Sequence, residues 1–229
     1  QELFAYGMRM LVESQTDLEF AGSARDGAEA LDLVAAMRPD VVLMDIRMPV
    51  LNGLEATRRL TADGTRVVVL TTFQQEEAVV AAMRHGASAF VTKDVAPEVL
   101  LDTIRRVHAG DAPPEPVGEL VKRFARPEPA SETASAPASE RVSEPASESE
   151  SASELAPGPA ADALEVLSPR EREIYLFAAT GLRNRDIARA AFVSEATVKT
   201  HIRGILAKLG FTSRAQIVVH AYENGLLGG

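Results

Sequence analysis

The 229-residue chain contains no cysteine and no tryptophan, and aromatic residues make up only 5% of it. Without thiols it can have no disulfide, no thiolate metal site and no cysteine nucleophile, which fits a reducing, cytoplasmic setting. Its four histidines stand apart, at 85, 108, 201 and 220, without the spacing of a zinc site, and read as structural or solvated. No apolar run approaches the roughly 20 residues of a membrane span. The opening QELFAYGMRM lacks the basic-then-apolar layout of a secretion signal. A phosphate-cradling P-loop, a G-x-G-x-x-G fingerprint and a Ser/His/Asp order are also missing.

What is present is unevenly distributed. Of the net charge of −9, residues 1–111 carry −6, residues 112–165 carry −7, and residues 166–229 carry +4. A basic piece at the end of an acidic chain points to a nucleic-acid contact confined to that end. The middle, RPEPASETASAPASERVSEPASESESASELAPGPAAD, is almost wholly Ser, Glu, Ala and Pro. It cannot bury enough surface to offset its ordering entropy, so residues 112–163 are expected to be a disordered linker. One short helix is expected within it near 117–126, and a tether of about 40 residues reaches roughly 35 Å. Two globular parts remain, 1–111 and 164–229.

The first part alternates between periods. Helical patterns at 26–38, 53–62, 75–86 and 96–110 follow apolar strand patterns at 18–24, 40–44, 66–73 and 88–93. This order predicts an α/β fold with a doubly wound parallel sheet. The stretch PDVVLMDIRMPVLNG (39–53) shows where its chemistry lies. A buried strand ends on Asp45, and Pro49 and Asn52-Gly53 force a loop behind it. Open α/β sheets place ligands at the carboxyl ends of their strands. Two more strands end there on polar groups, VVVLT on Thr71 and AFVTK on Lys93. A carboxylate, a hydroxyl and an ammonium together suit phosphoryl transfer, with Asp45 as acceptor and the other two as ligands for phosphoryl oxygens.

With VVLMDIRMPVLNG, VVVLTTF and ASAFVTKD in place, residues 1–111 resemble the flavodoxin-like receiver domain of two-component response regulators. The resemblance implies that Asp45 accepts a phosphoryl group from a sensor histidine kinase and that Lys93 contacts it. It also implies that Thr71 follows the phosphate and that Phe90 swings inward as the aromatic partner of the switch. Pro49 and Gly53 match the family's loop after the acceptor. Family members open with a strand ending in two acids that bind Mg²⁺ together with the acceptor. Here QELFAYGMRMLVES resembles the first helix, so the acidic pair is expected to precede Gln1 in the native protein. Of the metal ligands, only Asp45 lies in this chain, and the receiver without its first strand is expected to be unstable.

In the second part, Ser168, Pro169 and Glu171 suit a capping box, and Ser213 with Gln216 suits a second. Along EATVKTHIRGILAKLG, Val198, Ile202, Ile205, Leu206 and Leu209 share one face and Lys199, Thr200 and Arg203 another. Short helices with a tight turn before a basic-faced helix form a helix-turn-helix signature, a small all-α domain. Over 164–227 the segment resembles the DNA-binding domain of the LuxR/NarL/FixJ class. The resemblance implies a recognition helix at 195–208 with Lys199, Thr200 and Arg203 at double-stranded DNA. It also implies a dimerising last helix with Ile217, Ala221 and Tyr222 as its face, and hence a homodimer when active. Two other readings remain. In one, the receiver is a degenerate interaction module that is not phosphorylated. In the other, the chain is a phosphatase-type enzyme with Asp45 as nucleophile, which needs a second acid where the sequence has Arg47.

Overall fold

The computed structural model describes residues 2–72, 76–111 and 164–227. The linker and its expected helix at 117–126 lie outside the described residues. In the first part, helices α1 (Glu2–Glu13), α2 (Gly27–Met37), α3 (Gly53–Ala62), α4 (Glu76–Arg84) and α5 (Pro97–Ala109) are interleaved with three strands. The strands β1 (Val41–Asp45), β2 (Arg66–Thr71) and β3 (Ala89–Thr92) are parallel and lie in the order β1-β2-β3. β2 is central and buried at every residue after Arg66, as a strand covered on both faces must be.

The pleat divides the side chains between two layers. Val67, Val69 and Phe90 join Ala56 and Leu60 of α3 and Met83 of α4 on one face. Val68, Leu70 and Val91 meet Leu100, Ile104 and Val107 of α5 on the other, with Phe4, Met8 and Leu11 of α1 packed against them. Helix ends follow local chemistry. The Asp26 carboxylate accepts from the Ala28 and Glu29 amides at 2.9 and 3.0 Å, and Asn52 accepts from Glu55 at 2.9 Å.

The expected strand at 18–24 is not one. These residues form no regular element, and among the described residues the sheet has three strands with β1 at its edge. A strand exists only through bonds to a neighbour, and apolar alternation alone cannot supply one. Leu18 and Ala24 still pack onto the two apolar layers.

The second part consists of α6 (Pro169–Ala179), α7 (Asn184–Ala190), α8 (Glu195–Leu209) and α9 (Ala215–Glu223). The Ser168 capping box forms in both directions. Its Glu171 also takes an ammonium hydrogen bond from Lys208 at 2.6 Å, which with the Ser168 amide holds the carboxyl at about 2. Ile174, Tyr175, Ile187, Val198, Ile205 and Ile217 are fully buried and make this domain's core.

The second capping box forms only in part. The Gln216 side chain accepts from the Ser213 amide at 3.1 Å, but the Ser213 hydroxyl donates instead to the Ala87 carbonyl at 3.0 Å. A tertiary acceptor in the first domain has displaced the local one. The two domains touch there: α9 packs on α4, and Ala215, Val218 and Val219 enter the same buried cluster as Met83 and Phe90. At the rim Arg84 pairs with Glu223 at 2.6 Å and the Gln216 amide donates to the Arg84 carbonyl at 2.9 Å. Gly86 sits in the left-handed region at φ +97°, and a Cβ there would fall 2.1 Å from the Thr212 hydroxyl.

Candidate functional site

The carboxyl ends of β1, β2 and β3 bring Asp45, Thr71 and Lys93 to one edge of the sheet. Register does this: Asp45 lies opposite Leu70, Thr71 opposite Thr92, and the Lys93 amide donates to the Thr71 carbonyl at 2.8 Å. The Lys93 ammonium donates to Asp45 Oδ2, and the Arg47 amide donates to Oδ1 at 3.1 Å. Both groups remain partly open, with 27% of the Lys93 side chain and 18% of the Asp45 side chain exposed. Thr71 is buried, its hydroxyl donating to the Thr72 carbonyl at 3.1 Å. Phe90, three residues before Lys93, is buried in the layer that α4 and α9 cover.

The loop behind Asp45 is held close by glycine. The Gly53 amide donates to the Ile46 carbonyl at 3.0 Å, and a Cβ on Gly53 would lie 1.8 Å from the Asp45 carbonyl oxygen. Any side chain there would push the loop off Asp45. The Phe4 ring faces the Lys93 ammonium at 5.5 Å. Neither the Arg47 amide nor this cation–π contact could be read from the sequence, because both depend on how the chain turns after β1 and where α1 lies.

Receiver domains generally bind Mg²⁺. Among the described residues, no group of three or more acidic or histidine side chains could hold a metal ion. Asp45 can serve as one ligand, but the described side chains do not make a magnesium cage.

In the second domain, Ser194 caps α8 by accepting from the Thr197 amide at 3.1 Å. Val198, Ile202 and Ile205 turn inward, leaving Lys199, Thr200 and Arg203 exposed together. Lys199 and Arg203 form no ion pair among the described residues, and the Thr200 hydroxyl donates to the Ala196 carbonyl at 3.0 Å. Docking of the domains leaves this face open.

The expected dimerising face of α9 is engaged within the chain. Ile217 and Ala221 are fully buried in their own domain's core. Tyr222 is half-buried against the cluster shared with α4. Two adjacent stripes of α9 are apolar, and each covers a different core. The run AQIVVHAY carries that signal, because a helix serving one core has only one such stripe. Sequence reading also missed Arg214. This buried guanidinium donates to the Asn184 side chain and the Leu182 carbonyl and lies 3.9 Å from Asp111. Burial draws it down to about 10, with Asp111 opposing that shift and Arg106 adding to it.

Residues 1–105 match the family described as response regulator receiver domain, and residues 165–221 match bacterial regulatory proteins of the luxR family. Over 229 residues the chain is 37% identical to the uncharacterized transcriptional regulatory protein YxjL of Bacillus subtilis, spanning 99% of this chain and 94% of that one. The chain is a response regulator with a LuxR-type DNA-binding domain. This response regulator is also 31% identical to the transcriptional regulatory protein DegU of Brevibacillus brevis, over 98% of its own length and 90% of DegU. Among solved structures it is similar to the response regulator ChrA of a heme-sensing two-component system, with 29% identity, a TM-score of 0.46, and coverage of 99% and 94% of the two chains. The response regulator's relatives are transcriptional regulators. Among its described residues, no helix is long and apolar enough to cross a membrane.

Proposed function

We propose that this response regulator works in the cytoplasm as the output of a phosphorelay, accepting a phosphoryl group on Asp45 from a sensor histidine kinase. An Asp45 oxygen attacks phosphorus, the P–N bond to the donor imidazole breaks, and the imidazole leaves with a proton. The Lys93 ammonium, already on Asp45 Oδ2, is placed to transfer its hydrogen bond to a phosphoryl oxygen and balance the added charge. Thr71 is the hydroxyl that follows the phosphate. Phe90 links that motion to α9, since it shares a buried cluster with Val218 and Val219. Release of α9 from α4 then frees the helical domain to pair with a second copy, and Lys199, Thr200 and Arg203 of each copy engage the major groove of double-stranded DNA. Domain limits of 1–111, 112–163 and 164–229 suit this division of labour.

The observation that carries this reading is the Lys93–Asp45 contact at the converging strand ends. The test is incubation with acetyl phosphate in Mg²⁺ buffer, followed by intact mass and DNA-binding measurements. The full-length native protein is expected to gain one phosphoryl group and to bind DNA more tightly, and its Asp45→Asn variant to do neither. A regulator that binds DNA equally well with and without donor, and takes up no phosphate, would leave the non-phosphorylated module as the correct reading.

A further inference from the structure

Phe192 is the most exposed large hydrophobic residue described, at 94%, and its backbone is left-handed at φ +55°. It follows the Ala191 C-cap of α7 and precedes Ser194, the N-cap of α8, by two residues. The Val193 amide donates to the Ala188 carbonyl at 3.0 Å, so Phe192 stands in the reversal that ends α7, a position that favours glycine. An aromatic ring there is disfavoured twice, by its Cβ in a left-handed conformation and by its exposure to water. Among the described residues, no packing offsets either cost.

The surroundings indicate what does. The turn joins the two helices of the helix-turn-helix at the amino end of α8, the end that enters the major groove in this motif. Arg189, three residues earlier, is 81% exposed, and Arg170 reaches the turn to donate to the Ala191 carbonyl. The domain as a whole is basic, at +4 over 166–229. Arg189 pairs with Asp186 and Arg170 with Glu173, so a bare aromatic ring beside two surface arginines next to the base-reading helix matches a DNA edge whose phosphates the arginines would meet in place of those carboxylates. The apolar feature that a major groove offers such a ring is the thymine methyl.

We infer that Phe192 is a specificity-determining DNA contact that reads a thymine methyl beside the bases met by α8. This rests on DNA binding by the LuxR-type domain but not on phosphorylation of Asp45. The test uses the full chain and a duplex that the wild-type protein recovers from a random-sequence pool, with a second duplex carrying deoxyuridine for every thymidine. Phe192→Gly relieves the left-handed strain, so its melting temperature is expected to equal or exceed that of wild type. The same variant is expected to bind the thymine duplex at least about fourfold more weakly, the worth of one buried methyl. Its ratio of thymine to uracil affinity should shrink by the same factor. Unchanged binding by Phe192→Gly would overturn the inference, and so would weaker binding with the ratio intact. Unchanged DNA binding with loss of transcriptional activation would also overturn it, assigning the ring to a protein partner.

Discussion

The two domains complete their structures in different ways. The helical domain satisfies its backbone within each helix and closes a core of its own, from Ile174 and Tyr175 to Ile205 and Ile217. The receiver's sheet depends on neighbours: β1 is an edge among the described residues, 18–24 finds no ladder, and part of the layer beneath α4 is supplied by α9 of the other domain. The difference follows from where each element's hydrogen bonds go. A helix carries its partners with it and a strand does not. α9 serves both sides, one stripe facing home and the next facing the receiver.

The sharpest way to break this comparison is to cut the two stripes of α9 separately. Ile217→Ala empties a fully buried site in the helical core and is expected to cost about 2–5 kcal/mol in that domain. Val218→Ala should cost about 1.5 kcal/mol, and it should appear as looser docking on the receiver while the helical core holds. Thermal melts followed by hydrogen exchange in each domain separate the two. If both variants destabilise the same domain, the division of α9 into two faces is wrong.

A smaller effect probes the docking alone. Gly86→Ala forces a Cβ toward Thr212 in a left-handed backbone, at about 1–2 kcal/mol. Scattering profiles or interdomain distance measurements on the full chain should show a shift toward separated domains. An unchanged domain distance would mean that the contact around Gly86 contributes nothing to closure.

The smallest expected effect lies wholly within the helical domain. Glu171 is held at about 2 when folded and returns to the ordinary carboxylate range when unfolded. Its pairing therefore stabilises the fold above the ordinary range, and that contribution is lost as pH falls from about 4.5 toward 2. Glu171→Gln should lower stability by about 1 kcal/mol or less at neutral pH, since Lys208 is half in solvent, and flatten the acid limb of the melting profile. An unaltered acid limb would show that the Lys208 contact is not formed in solution.

Much of this architecture could be read in the chain, for stated local reasons. Ser168 caps the helix that follows it, and the run at 66–73 forms the central strand over Arg66–Thr71. The convergence of Asp45, Thr71 and Lys93 was legible because parallel strands with right-handed crossovers must bring their carboxyl ends to one edge. What the sequence left undecided shares one cause. Ser213 had a local partner in Gln216 but donates to Ala87, 126 residues away in sequence. Ile217 and Ala221 lie on an apolar stripe that suits a dimer face, and in the folded chain the helical core buries it.

The sequence by itself determined the local elements of the two folds, the three polar strand ends and the basic face of α8. Each depends on periodicity, capping chemistry or side-chain order within a few residues. Only the tertiary structure decided that α9 is shared between two cores and that Arg214 is buried beside Asp111. Those outcomes turn on competition between partners distant in the chain, and a sequence names the candidates for such a contact without ranking them.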